Sequence, residues 1–114
     1  MSNCKSLIDR IIKVDMKKEL DVRQLNKDIA IYLGKIPKPA PDYLRSRDAI
    51  KNARPEGWNL WEVNHFHVPD EVYVYEFAKE GCEIMDGYHI LEEKAELIAV
   101  IKAVACDRGE VDEV

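Results

Sequence analysis

The C-terminal part of the chain carries the feature that most constrains its fold, a stretch that is apolar on almost every side. Residues 97–105 read Leu-Ile-Ala-Val-Ile-Lys-Ala-Val-Ala, with Lys102 as the single charge. The run from Leu91 to Cys106 is long enough for a helix, and Glu92 and Glu93 suit the positive end of its dipole. A helix without a polar face must be surrounded. It is therefore expected to be either deeply buried in its own domain or partly covered by a second copy of the chain.

Helical periodicity predicts three shorter helices before this one. Their ranges are 5–18, 21–33 and 47–53. Asp21 and Gln24 resemble a capping box at the start of the second helix, and Gly34 suits the position just after its end. Ser46 is the expected N-cap of the third helix. No residue before Asp21 breaks a helix outright, so the first helix could also run into the second.

Three strands are predicted between the short helix and the last one, over residues 58–66, 71–79 and 82–89. Strict alternation places Trp61 and Val63 on one face of the first strand, with Trp58 and Leu60 on the other. In the second strand valines occupy one face, and tyrosines with a phenylalanine occupy the opposite one. Both faces are apolar, so both faces of the sheet are expected to be covered.

The order of these elements predicts an α+β fold, because strands and helices do not alternate and the turns between strands are short. The expected architecture is an α/β/α sandwich. In it an antiparallel meander of three or more strands is flanked by N-terminal helices and one long C-terminal helix. The chain has 114 residues, the size of one domain. Residues 1–106 are expected to form that domain, and the acidic residues 107–114 a flexible tail.

Composition disfavours several classes of function. A net charge of −5 disfavours binding of duplex nucleic acid by a broad basic face. No apolar run reaches the length of a membrane span, and the N-terminus lacks the apolar core of a signal peptide. The three cysteines, Cys4, Cys82 and Cys106, are odd in number and have no C-x-x-C spacing, which disfavours a disulfide framework or a structural zinc site. The expected location is the cytoplasm.

The residue types that carry catalysis all suit simpler structural roles here. Cys82 is flanked by Glu80 and Glu83, and negative neighbours raise the pKa of a thiol and work against its activation. The chain has no phosphate-binding glycine loop, nucleophile elbow or zinc-protease motif. We therefore expect no catalytic residue, no cofactor and no enzymatic activity.

The histidines form the pattern closest to a metal site. His65 and His67 point to the same side of a strand, a spacing that a metal can use, and His89 follows later in the chain. The pair lies beside a Val-Pro turn, however, where an exposed hairpin tip is the simpler interpretation. The prediction is that no metal is bound.

A ligand site is predicted from arginines near aromatic residues. Arg45, Arg47 and Arg54 could pair with an anion while Trp58 and Trp61 stack on a base or another flat ligand. This hypothesis requires the five side chains to converge on one pocket, which could lie at an interface between copies of the chain. The alternative is that the tryptophans pack in the core or on the sheet.

Two segments resemble a known family. Residues 43–50, Tyr-Leu-Arg-Ser-Arg-Asp-Ala-Ile, and the following Arg-Pro-Glu-Gly-Trp at 54–58 are similar to the "Y-t-x-S-x-D-A-h … P-E-G-W" stretch of the phage ABA-sandwich domain family. Residues 19–34 resemble its "E-L-D-x-x-h-A-x-x-L-G" helix. The resemblance implies an α/β/α sandwich and a phage or prophage origin, and it carries no activity or catalytic residues.

The resemblance and the ligand-site hypothesis together predict a non-enzymatic phage or prophage accessory protein that acts by binding in the host cytoplasm. It would sequester a nucleotide-like small molecule as a counter-defence factor, and it would form homo-oligomers. One alternative is a protein–protein inhibitor or adaptor that acts on a host protein. The other is a small metal- or thiol-dependent enzyme that uses His65, His67 or Cys82.

Overall fold

The computed structural model describes residues 3–67 and 69–110. These residues form four helices and three strands. The helices are α1 (Cys4–Lys13), α2 (Glu19–Tyr32), α3 (Arg47–Ala53) and α4 (Glu92–Asp107), and the strands are β1 (Asn59–Phe66), β2 (Val72–Ala78) and β3 (Met85–His89). Residues 111–114 of the predicted acidic tail lie outside the described residues.

The strands form one antiparallel sheet in the order β1-β2-β3, so β2 is central and the other two are edges. Short turns join consecutive strands, which gives the meander that the sequence predicts. The fold class is thereby confirmed as α+β, with helices flanking a three-stranded antiparallel sheet and a long C-terminal helix.

A bulge interrupts β1 at Trp61. Leu60 pairs with Phe77, but the pairing shifts by one residue before Val63 pairs with Tyr75, which leaves Trp61 as the extra residue. Residues paired across an antiparallel sheet lie on the same face. Leu60 and Val63 therefore share a face, and the predicted alternation that separates them is wrong because the bulge resets the period.

Helix α4 is the centre of the core. Its residues from Ala95 to Ile101 are all buried, and so are most of the residues in its last turns. Gly87 of β3 allows the close approach, since a Cβ added there would lie 2.2 Å from the carbonyl oxygen of Ala95 and 2.6 Å from the nitrogen of Ala99. The apolar surface of the helix is thus buried within its own chain and does not require a second copy to cover it.

Three of the helices stack in layers on one side of the sheet. Helix α4 packs on β2 and β3, and α1 and α3 pack in turn on α4. We call the side of the sheet toward α4 the inner face. It carries Leu60, Val63, Tyr73, Tyr75, Phe77 and Gly87. The opposite side is the outer face, and it carries Glu62, Asn64, Phe66, Val72, Val74, Glu76, Asp86 and Tyr88.

The outer face has no helix of the described part packed against it. The layers follow the order sheet, α4, then α1 and α3, and the prediction that both sheet faces are covered is wrong. Val72 and Val74 misled that prediction because they belong to the central strand. Neighbouring strands on both sides partly shield them, so they are half-buried without a covering layer.

The helix boundaries differ from the prediction at one junction. Helix α1 ends at Lys13 because Asp15 starts a turn, in which its side chain accepts a hydrogen bond from the backbone N–H of Lys17. Helix α2 then begins at Glu19, two residues before the predicted cap Asp21, and its N-cap residue makes no side-chain hydrogen bond. The short helix α3 begins as predicted, with the Ser46 hydroxyl accepting from the N–H of Ala49.

Candidate binding surfaces

The predicted arginine–tryptophan site is distributed over several places in the structure. Arg45 lies beside the start of α2. Its guanidinium contacts Glu19 at 3.0 Å and Asp42 at 3.3 Å, and also donates to the carbonyl oxygen of Met16. These contacts anchor the segment before α3 to α2, and two carboxylates already neutralise the cation.

Arg47 belongs to a polar cluster between α3, β2 and the start of α4. Its guanidinium lies 3.2 Å from Glu92 and 3.3 Å from Glu96, and it also donates to the Tyr75 hydroxyl. Tyr75 in turn donates to Glu92 at 2.6 Å. Burial raises the pKa of the Glu96 carboxyl, while the charge of Arg47 acts to lower it. The cluster has two carboxylates for one guanidinium, so it leaves no positive charge for an anionic ligand.

Arg54 and Trp58 lie near the end of α4. The Arg54 guanidinium is 5.5 Å from the centre of the Phe77 ring, a cation–π geometry. Trp58 is 2% exposed and donates from its indole Nε1 to Asp107, which also pairs with Lys79. Trp58 is therefore a core residue with a satisfied polar atom, and it offers no stacking surface to a ligand.

Trp61 is 64% exposed at the bulge of β1, and is the one exposed aromatic residue of the five predicted site residues. Arg45 and Arg54 line different clefts, and none of the other three lines either of those clefts. The described structure brings Arg54 and Trp58 to one end of α4, but it does not gather all five side chains around one pocket.

A cleft of about 880 Å³ lies where α1 begins and α2 and α4 end. Its polar groups already pair with one another or with neighbours. The Tyr32 hydroxyl donates to Glu110 at 2.8 Å, Arg108 stacks on the Tyr32 ring, and Asp28 pairs with Arg10 at 2.7 Å. A cleft whose charged groups are paired in this way has little to select a ligand with.

Two further groups with shifted pKa values, Lys94 and His89, contact the C-terminal end of helix α1. Lys94 is buried and donates to the carbonyl oxygen of Val14, and His89 Nε2 lies 3.4 Å from that of Ile12. Burial lowers the pKa of both side chains. His89 Nδ1 accepts from the N–H of Leu91, so the ring proton is on Nε2. Both groups satisfy carbonyls at the C-terminal end of α1, which gives them a structural role.

Cys106 does not have the environment of an activated nucleophile. Cys106 is half-buried near the end of α4, and burial together with the neighbouring thiol of Cys82 raises its pKa. A thiol with a raised pKa has less of the thiolate that reacts.

The outer face combines exposed aromatic side chains with a row of acids. Phe66 is 48% exposed and Tyr88 is 63% exposed. Phe66 pairs with Val72, and Val74 pairs with Tyr88, which makes two apolar rows across the strands. Tyr, Phe and Trp side chains are enriched at protein–protein interfaces, where they can bury a large area.

The acid row runs across all three strands of the outer face. Glu62 pairs with Glu76, and Glu76 pairs with Asp86, so three carboxylates lie side by side. Like charges directly opposite each other destabilise a sheet. Lys102 reaches Asp86 at 3.4 Å, and Asn64 donates to Glu62. Among the described residues no cation lies within 4.0 Å of the Glu76 carboxylate.

A third feature lies at the end of the β1–β2 hairpin. His65 and His67 are joined there by Glu71, and one ligand atom from each of the three lies within 4.8 Å of the others. The spacing of the two histidines indicates that pair from the sequence, but Glu71 was missed. The signal was present, because the predicted turn separates His67 from Glu71 by only three residues in the sequence.

The acid row and the exposed outer face had no comparable signal in the sequence. Both depend on the register of three strands, and the bulge at Trp61 shifts that register.

None of the helices in the described residues is long and apolar enough to cross a bilayer. No family model, curated protein or solved structure matches the chain.

Proposed function

We propose that this protein is a non-enzymatic binding protein whose outer face binds a partner protein with an apolar surface bordered by Lys or Arg residues. The observation that carries the proposal is the outer face itself. Exposed aromatic side chains lie there beside three aligned carboxylates, with no described helix to cover them.

The apolar rows supply the driving force for association. Phe66 and Tyr88 are about half exposed or more, and Val72 and Val74 lie between them on the central strand. Covering these side chains removes apolar surface from water, which favours association by roughly 25 cal/mol per Å² before the costs of association are counted. A flat sheet with aromatic side chains suits a protein surface better than a small ligand, because small ligands bind in concave sites.

The acid row determines the chemistry of the partner. A second copy of the chain would bring three more carboxylates to the same interface, and its net charge of −5 would add repulsion. A partner with Lys or Arg residues would instead relieve the repulsion within the row. Two of the three arginines of the predicted nucleotide site, Arg45 and Arg47, are neutralised by Glu19, Asp42, Glu92 and Glu96, which further favours the protein-binding alternative.

The proposal is tested by site-specific photo-crosslinking in cells that carry the gene. A photoreactive phenylalanine analogue replaces Phe66 or Tyr88, and the matched control replaces Leu20, a 79% exposed residue on α2. We expect both outer-face positions, but not position 20, to crosslink the same protein. The attachment point should lie beside Lys or Arg residues of that protein.

Charge reversal distinguishes the outer face from a general effect of charge. Glu76→Lys should abolish the crosslink, whereas Glu80→Lys in the turn after β2 should leave it intact. Crosslinks to a second copy of the chain would favour the predicted homo-oligomer instead. A thermal shift with a nucleotide panel, absent in an Arg54→Ala variant, would favour the small-molecule hypothesis.

The phage or prophage origin and the counter-defence role stay predictions that rest on the family resemblance. These two predictions are about the origin of the partner, whereas the residues of the outer face indicate the chemistry of the surface that the partner presents. An identified partner that belongs to a host defence system would support both.

A further inference from the structure

We infer that His65, His67 and Glu71 form a binding site for a divalent transition-metal ion of the zinc class at the end of the β1–β2 hairpin. The site does not depend on the proposed function, because His65 pairs with Tyr73 on the inner face, opposite to the face that carries the acid row and the apolar rows.

The geometry follows from the strand register. His65 pairs with Tyr73, and Phe66 pairs with Val72 as the last pair of the two strands. His67 directly follows β1 and Glu71 directly precedes β2. His67 lies two residues after His65, and a ring nitrogen of each lies within 4.8 Å of the other. The three ligand side chains therefore meet at one end of the hairpin, His65 from β1 and the other two from the residues adjoining the ends of β1 and β2.

The ligand atoms are close enough for one ion. All three lie within 4.8 Å of one another, and His65 Nε2 is 3.5 Å from a Glu71 carboxylate oxygen. Zinc binds imidazole nitrogen and carboxylate oxygen at about 2.0–2.2 Å, which requires ligand atoms roughly 3.3–3.6 Å apart in a tetrahedral site. Small side-chain rotations suffice to reach that arrangement, since all three residues are exposed.

A neighbouring aromatic residue holds one ligand in place. The His65 ring stacks on Tyr73 with the centroids 3.9 Å apart and the planes 10° from parallel. The His67 ring lies 4.2 Å from that of His65. The two rings therefore lie side by side, as two imidazole ligands of one metal ion must.

The ligand set selects the class of metal. Imidazole nitrogen suits zinc, copper and nickel, whereas magnesium and calcium require mostly oxygen ligands. Three protein ligands leave a coordination position for water or for a group from a partner. His89 is excluded from the site because its Nδ1 accepts from Leu91 and its Nε2 faces the carbonyl oxygen of Ile12.

The test is a zinc titration of the tag-free protein, followed by long-range ¹H–¹⁵N NMR of the histidine rings near neutral pH. The ring resonances of His65 and His67 should shift together and saturate, while those of His89 stay in place. Magnesium should cause no shift.

Variants separate the three-ligand site from zinc binding at the cysteines or at surface carboxylates. Glu71→Gln should weaken zinc binding by about 10-fold or more, and His67→Gln by at least as much. Glu76→Gln, on the outer face, is the matched control and should leave the affinity unchanged. The inference is overturned if His65 and His67 do not shift in excess zinc, if replacing the cysteines by serine abolishes binding, or if Glu71→Gln binds like the wild type.

Discussion

The two faces of the sheet differ although both carry apolar side chains. The inner face packs on α4, with Tyr75 and Phe77 buried and Gly87 in contact with the helix backbone. The outer face carries Phe66 and Tyr88 in an exposed setting. Aromatic side chains therefore stabilise the fold on the inner face, whereas on the outer face they are available to bind a partner.

Charge distinguishes the faces further. Where the inner side contains carboxylates, as at Glu92 and Glu96, a guanidinium and a tyrosine hydroxyl accompany them. On the outer face Glu62, Glu76 and Asp86 oppose one another across the strands. The carboxylates on the inner side are therefore paired with donors, whereas those on the outer face, which we propose for binding, repel one another.

The largest expected difference between the faces comes from a matched pair of phenylalanines on the hairpin. Phe77 is 1% exposed on the inner face, and Phe66 is 48% exposed on the outer face. Phe77→Ala should lower the free energy of unfolding by about 3–5 kcal/mol, because it leaves a cavity beneath α4. Phe66→Ala should lower it by about 1 kcal/mol or less. Urea unfolding measures both, and equal losses would contradict the assignment of the faces.

A second large effect is expected where β3 meets α4. Gly87→Ala places a Cβ against the backbone of Ala95 and Ala99, neither of which can move as a flexible side chain would. We expect a loss of about 1–3 kcal/mol or more in the free energy of unfolding. Asp86→Ala, one residue earlier on the outer face, is the control and should change it by about 0.5 kcal/mol or less. A tolerated alanine at position 87 would show that the helix does not lie this close to the sheet.

A pH-dependent effect is expected at the edge of the inner face. Burial, with Lys94 nearby, lowers the pKa of His89 in the folded protein below its usual value of about 6.5. Between the two values the unfolded chain binds a proton that the folded protein does not bind. Stability from this group is therefore present above pH about 6.5 and is lost as the pH falls toward the lowered value.

His89→Gln isolates this contribution. Glutamine can still donate a hydrogen bond toward Ile12, but it does not titrate. The slope of unfolding free energy against pH, measured by urea unfolding below neutral pH, should therefore be smaller in the variant than in the wild type. Identical slopes would contradict the burial of a neutral imidazole at this position.

Parts of this structure that local chemistry determines could be predicted from the sequence. Ser46 caps α3 as predicted, Tyr75 and Phe77 form the buried side of β2, and α4 is buried. Each depends on a periodicity or on a side chain that bonds within a few residues.

The parts that were missed depend on long-range partners. Arg45 contacts Glu19, 26 positions earlier, and Arg47 contacts Glu96, 49 positions later. Nothing in the local sequence indicates that these arginines are neutralised in the fold, so a ligand-binding cluster was a reasonable prediction. The open outer face was missed because the valines of a central strand look alike whether or not a layer covers them.

The smallest expected effect addresses the acid row directly. Glu76 has a carboxylate opposite it on both neighbouring strands. Glu76→Gln should therefore raise the free energy of unfolding by about 0.2–1 kcal/mol, and added salt should reduce the gain because it screens the repulsion in the wild type. Glu80→Gln, which removes the same charge from the turn after β2, controls for net charge. A Glu76→Gln variant no more stable than this control would show that the row costs the fold nothing. A gain in stability accompanied by weaker binding to a partner would instead show that a repulsive row serves recognition at a cost to the free protein.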